Sequence, residues 1–326
     1  MGKKKLEELQ TKANDLDRYK VRKLYPDATD DDRKQEWYFD MDKGEKTERL
    51  RNYEDANLIK EDDGSWSVTG AKKLEGEGDN AKWDDKGQVR LEGWSESGSK
   101  KWLNMEITLY AFLDKELKGK YEKKGEWVPF SPGPYAFQLY GRGGHHGSSD
   151  RCEGACYKIG LLRKDDNKGK VEVRKEPTHP CYLNDKGLEK GTDKDVDRRW
   201  IGLKQVVYNF KKDGRTCVAN EIWIDDESDD EGKLSEPLRN NWRNVSNVND
   251  TGEWGDGGSN FTEGCPLLDS NEKEGTRKRE HIINKPGGTN MGNIGSLRSD
   301  EVKLRFKYFS IREIEPPEPH KDAVVA

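Results

Sequence analysis

From Trp37 onward the chain alternates apolar and polar positions with the two-residue period of half-buried β-strands. The clearest run is NMEITLYAF, where Met105, Ile107, Leu109 and Ala111 share one face and Glu106, Thr108 and Tyr110 the other. Comparable runs are SWSVTGA, GQVRLEGW, YAFQLYGR, CYKIGLLR, KVEVRKE, WIGLKQVVYNF, TCVANEIWID and VKLRFKYFSIREI. DDGS at 62–65, DDKG at 84–87, DDNKG at 165–169 and KKDG at 211–214 supply turns between them. Short strands with hairpin signals, and no βα alternation or internal repeat, predict an all-β, antiparallel β-sandwich over residues 30–316. Upstream the period changes. Leu6, Leu9, Ala13, Leu16 and Tyr19 or Lys20 recur at helical spacing, and Pro26 stops the pattern. This predicts an N-terminal amphipathic helix within residues 1–26, laid against the domain or used for self-association or docking. Residues 317–326 read as a disordered tail.

Composition narrows the partners. The chain has 59 basic and 64 acidic residues, a net charge of −5, and no basic stripe, which argues against nucleic acid. No run of about 18 apolar residues is present, so no membrane span is expected. Ten Trp and 12 Tyr provide enough aromatic surface for a core and argue against disorder. The basic start MGKKKLEELQ is followed by no apolar stretch, so no secretory signal is expected. The compartment stays open, with an extracellular or particle-surface setting preferred. Sequons at Asn244, Asn249 and Asn260 sit in Asn-rich sequence, where such triplets arise by chance.

The segment WIGLKQVVYNFKKDGRTCVANEIWIDD, then Trp242, then the closing VKLRFKYFSIREI, resembles the concanavalin-A-like lectin/glucanase jelly roll. It looks most like a group of archaeal, phage and environmental proteins of that superfamily. The loop around His145 and the segment KEPTHP at 175–180 belong to the same resemblance, which covers about residues 65–315. It implies that the sandwich is an antiparallel jelly roll of the concanavalin-A-like type. It leaves activity open, because this superfold hosts lectins, hydrolases, lyases and structural modules.

Glycoside hydrolysis needs two carboxylates flanking the scissile bond. The glucanase pattern of paired acids on one central strand is missing, and the nearest pair, Glu221 and Asp225, reads as structural. A polysaccharide lyase needs a cation or amide to neutralise a uronate carboxylate, a base for the α-proton and an acid for the leaving oxygen. The more distant resemblance to jelly-roll, alginate-type lyases directs attention to Arg90 and Glu92 in VRLEG and to Gln138, Tyr140 and Arg142 in FQLYGRGGHH. His145 follows, and Arg174, Glu176 and His179 lie on the next hairpin. The Q-x-H motif of those lyases is absent, since Gln138 is followed two positions on by Tyr140.

Alternation places Gln138, Tyr140 and Arg142 on one strand face, about 6.5–7 Å apart in order. The expected catalytic set is His145 or His179 as base, Tyr140 as proton donor and Arg142 on the carboxylate. Gln138, Arg90, Arg174 and Trp94 form the expected substrate-binding set. The ligand would be a polysaccharide or glycan, bound by a uronate-specific lyase or by a non-catalytic lectin-like, adhesion or assembly module. Tryptophans near turns (Trp94, Trp127, Trp242 and Trp254) are further candidates for stacking on a sugar.

The loop YGRGGHHGSSDRCEGAC at 140–156 could hold a metal or a disulfide. Its C-x3-C spacing lacks a second knuckle and is not a zinc pattern. A disulfide from Cys156 or Cys152 to Cys181 is expected instead, with Cys217 and Cys265 as a further pair and one thiol left over from five. No cofactor is required. Structural Ca²⁺ is considered at DATDDD (27–32) and DDESDDEG (225–232), neither of which has the spaced calcium-loop pattern.

Overall fold

A computed structural model describes residues 16–31, 33–96, 100–144, 156–178, 181–183, 188–226, 233–236, 238–251 and 292–317. The chain begins with the short strands β1 (Glu36–Tyr38), β2 (Leu50–Asn52), β3 (Asn57–Lys60), β4 (Trp66–Thr69), β5 (Lys73–Glu75) and β6 (Lys82–Trp83). The next group is β7 (Gln88–Trp94), β8 (Met105–Glu116), β9 (Lys120–Lys123), β10 (Glu126–Pro129), β11 (Tyr135–Gly143) and β12 (Cys156–Leu162). Then come β13 (Lys170–Thr178), β14 (Cys181–Leu183), β15 (Leu188–Lys190), β16 (Trp200–Lys212) and β17 (Arg215–Asp225). The described chain closes with β18 (Arg243–Asp250), β19 (Ile294–Asp300) and β20 (Val302–Glu313).

The strands form two eight-stranded sheets. The first runs β18-β17-β16-β8-β20-β4-β3, with β1 also on β20; the second runs β14-β13-β12-β11-β19-β7-β2, with β15 also on β13. The chain crosses from one sheet to the other repeatedly, as a jelly roll does: β7 to β8, β15 to β16, β18 to β19, β19 to β20. All pairings within the two large sheets are antiparallel. A small sheet, β10-β9-β6-β5, contains the parallel β6–β9 pair.

The predicted alternation is what joins the sheets. Ile107, Leu203, Val207 and Ile311 of the first sheet and Leu91, Leu139, Ile159, Val173 and Leu297 of the second lie in one buried cluster. Transfer of such surface out of water is the main force holding the two layers together. The KKDG turn behaves as read: Asp213 and Gly214 both take positive φ (50° and 78°), and Lys212 pairs with Arg215 across a two-residue hairpin.

The N-terminal expectation needs correction. Residues 1–15 lie outside the described residues, and residues 16–24 are not helical. Leu16 forms a β-bridge with Arg22, Lys20 has φ 63°, and Asp17 Oδ1 accepts hydrogen bonds from the backbone N–H of Tyr19 and Val21. An aspartate that caps the following backbone competes directly with helix formation. The segment instead lies on the outer face of the first sheet, where Val21 is buried with Tyr110, Phe112, Trp200 and Trp242 and Leu24 packs against them. Trp242 is thus core. Beneath this cover Glu106 bonds Lys204 Nζ (2.7 Å) and Arg312 Nη2 (2.7 Å), and Arg312 Nη1 reaches Asp27 (2.8 Å).

The disulfide expectation is also corrected. No disulfide occurs among the described residues, and Cys156 is a buried free thiol. Cys152 and Cys265 lie outside the described residues, as do Trp254, Asp32 and residues 227–232 of the candidate calcium stretches. Asp27 and Asp226 are occupied by protein partners, Asp27 by Lys23 and Arg312, and Asp226 by Thr192 and Arg243.

Candidate functional site

Alternation along the second sheet sends one set of side chains into the sandwich and the other to its outer face. The outward set is polar at the sheet's centre. Following the strand register, one row across the outer face reads Arg51, Glu92, Ser296, Tyr140, Lys158, Arg174. The adjacent row reads Arg90, Arg298, Gln138, Gly160, Glu172. These rows frame a shallow, narrow cleft, lined by Arg90, Glu92, Tyr140, Cys156, Lys158, Glu176, Ser296 and Arg298 among others.

The cleft's contacts divide it in two. On one side Lys158 forms an ion pair with Glu176, both side chains almost wholly buried, and its Nζ stands 4.8 Å from the centre of the Tyr140 ring. Tyr140 OH donates to Gln138 Oε1 at 3.4 Å. Cys156 Sγ lies 3.9 Å from Glu176 Oε2, and burial pushes this thiol up to about 12, which keeps it un-ionised and unreactive.

On the other side Arg90 and Arg298 are direct cross-strand neighbours. Arg298 Nε bonds the Asp300 carboxylate at 3.1 and 3.2 Å. Arg90 is 7% exposed, packs its guanidinium 5.4 Å from the Tyr53 ring centre, and its Nε has no hydrogen-bond partner among the described residues. Glu92, 1% exposed, accepts from Trp94 Nε1 at 3.1 Å. Burial raises the Glu92 carboxyl to about 7, against the lowering pull of Arg90 and the Trp94 hydrogen bond.

Of the sequence-predicted residues, Arg90 and Tyr140 line the cleft and Gln138 supports Tyr140. Arg174 stands one strand beyond Lys158, bonded to Glu172 at 2.8 Å. Trp94 is half-buried beside Glu92, with Arg51 5.2 Å from its ring centre. His145 and His179 lie outside the described residues.

Arg142 is not on this face. Between Tyr140 and Gly143 the β11–β19 register shifts by a β-bulge, and Arg142 takes φ 52°. Its backbone N–H approaches Met105 Sδ on the opposite sheet (3.1 Å), and its side chain, 2% of the residue exposed, lies near Tyr157 and the carboxyl groups of Glu313 and Asp250. Burial lowers this guanidinium to about 10. A bulge inserts one residue and so reverses the inward–outward alternation. Inside the sandwich the neighbouring polar centre joins Lys175 to Asp250 (2.6 Å) and Tyr157 OH to the same carboxylate (2.6 Å).

Glu221 and Asp225 hold the N-terminal segment and sheet together. Glu221 accepts from Tyr25 (2.8 Å), Tyr208 (3.0 Å) and Trp223 (2.9 Å), and Asp225 accepts from Tyr110 (2.7 Å).

Lys158, Ser296 and Arg298 complete the site beyond the residues singled out in the sequence, and Glu176, noted there without a role, is the partner of Lys158. Period-two alternation in CYKIGLLR does put Lys158 outward with Cys156. Bringing Arg298 beside Arg90 depends on pairing residues more than 200 positions apart, a register that no local pattern contains.

No family model and no curated protein matches the chain. Among solved structures, the alginate lyase Aly36B, determined as a double mutant in complex with an alginate trisaccharide, aligns with a TM-score of 0.38 and 7% identity. That alignment covers 82% of this chain and 88% of the lyase chain. The carbohydrate recognition domain of Emp46p, determined as a point mutant, aligns with a TM-score of 0.33 and 11% identity, covering 81% of this chain and 88% of that domain. Neither supports the likeness to archaeal, phage and environmental proteins. The functional reading therefore rests on the cleft's own residues. No helix among the described residues is long and apolar enough to cross a membrane.

Proposed function

We propose that the outer face of the second sheet recognises a carboxylate-bearing polysaccharide, a uronate-containing polymer, and acts on it as a lyase. The observation that carries this reading is the Arg90–Arg298 neighbour pair. Like charges directly opposite on a sheet destabilise it, and a buried guanidinium whose Nε lacks a partner costs more still. A bound carboxylate would offset the positive charge of the pair, and a planar guanidinium can offer it two parallel N–H bonds. This moves to Arg90 and Arg298 the role expected of Arg142.

In the elimination, a base removes the proton at the carbon next to the uronate carboxylate. The electron pair forms the ring double bond, the bond to the glycosidic oxygen breaks, and that oxygen takes a proton. Tyr140, held between Lys158 and Gln138, supplies this last proton; His145 or His179 takes the first. Arg90 and Arg298 stabilise the charge that develops on the carboxylate. The chemistry calls for no cofactor.

Incubation with a panel of uronic-acid polymers, followed by the ultraviolet absorbance of the unsaturated product, tests the reaction. Binding of such polymers without product would leave a non-catalytic lectin-like module. That second reading is favoured by one observation: Lys158 and Glu176 already neutralise each other on one side of the cleft.

A further inference from the structure

Glu92 has no part in the reaction just described, yet it is a buried carboxyl facing the same cleft as the arginine pair. The groups around it come from every strand that packs there. Arg90 lies two residues away on β7, Arg51 opposite on β2 with Glu54 just beyond, and Ser296 opposite on β19 with Arg298 next to it. Tyr140 follows on β11, and across the cleft stand Lys158 and Cys156 on β12 and Glu176 on β13.

We propose that Glu92 is the group that couples ligand binding to protonation: a sugar carboxylate seated on Arg90 and Arg298 is accepted together with one proton, which Glu92 holds. This rests on the acidic-glycan reading above. Two carboxylates sharing one desolvated site cannot both remain ionised without a large penalty. The incoming carboxylate also neutralises Arg90, the charge that does most to keep Glu92 ionised. Burial already holds the free-protein carboxyl near neutrality, so ligand needs to add only a further push upward. As a neutral acid, Glu92 becomes a hydrogen-bond donor and adds a contact to the ligand.

The test is calorimetric titration of the whole protein with a uronic-acid trisaccharide at pH 8, in buffers of different ionisation enthalpy. The expected result is uptake of about one proton per ligand, and an affinity that falls about tenfold per pH unit above that point. Glu92→Gln should bind with no proton uptake and with constant affinity between about pH 7 and 9. Binding of the trisaccharide without proton uptake, or unchanged uptake in Glu92→Gln, overturns this inference alone. No binding at any pH overturns the acidic-glycan reading and this inference with it. Should Glu92→Gln fail to fold, the infrared difference spectrum of the native protein decides. Gain of a protonated-carboxyl band on binding supports the proposal, and its absence rejects it.

Discussion

Arg90 and Arg298 stand directly opposite one another on β7 and β19, and the Nε of Arg90 has no hydrogen-bond partner among the described residues. Folding thus places two guanidinium groups side by side in a partly closed cleft, Arg298 bonded to Asp300 and Arg90 beside Glu92, and a carboxylate could bridge them. Arg90→Ala should weaken binding of a uronate oligosaccharide by roughly thirtyfold, the loss of about 2 kcal/mol expected for charge-assisted hydrogen bonds. Arg90→Lys should not restore it, because a point charge cannot make the paired contact. Thermal unfolding of Arg90→Ala should be little changed, since the repulsion from Arg298 and the attractions to Glu92 and the Tyr53 ring are lost together. A lowered midpoint would show Arg90 to be structural.

Arg142 should behave in the opposite way. It lies inside the sandwich near Tyr157, Asp250 and Glu313. Arg142→Met is expected to lower the unfolding midpoint and leave glycan affinity unchanged in the folded fraction. A folded, stable Arg142→Met that no longer binds would return this residue to the site.

The hydroxyl of Tyr140 is needed for elimination but not for binding. Tyr140→Phe should retain affinity within a few-fold and lose roughly 10²-fold in the rate of unsaturated product formation, the usual scale for one proton-transfer group. Parallel binding and absorbance measurements separate the two effects.

Stability should respond to pH with opposite signs at two places. Despite the cost of burial, Arg312 and Lys204 hold Glu106 down to about 2. Its contribution is present above the ordinary glutamate value and is lost as pH falls toward 2. Burial raises Glu313 to about 8, although Leu103 and Asn104 N–H groups bond it. The stability from Glu313 and Glu92 is complete below about pH 4.5 and is lost as pH rises through about 7 to 8. Denaturant titrations from pH 4 to 9 should show declining stability, and Glu313→Gln should flatten the alkaline side. Glu106→Gln, which leaves Lys204 and Arg312 buried without their carboxylate, should cost about 3–5 kcal/mol at neutral pH.

Much of this architecture is legible in the sequence because a strand's two faces are written in its period. The runs containing Met105, Trp200, Thr216 and Val302 are all strands of the first sheet, and GQVRLEGW and YAFQLYGR are neighbours of β19 in the second. Two failures share one cause, local geometry overriding period. The helical spacing of Leu16 and Tyr19 gives way to the backbone bonds of Asp17. The outward phase of Gln138 and Tyr140 is lost before Arg142, where a bulge in the sequence GRGG turns the chain inward. Arg298 was hidden for a different reason. Its role exists only through strand register with Arg90, and the distance in sequence leaves no local trace.

The most direct test of the central claim compares two oligosaccharides of equal length, one of uronic acid and one in which each carboxylate is reduced to a hydroxymethyl group. Titration calorimetry at pH 6 and low salt should show binding of the uronate form and at least about tenfold weaker binding of the reduced form. Arg90→Ala should abolish that difference. Equal affinity for the two sugars, or a preference for the uronate that survives in Arg90→Ala, would contradict the account.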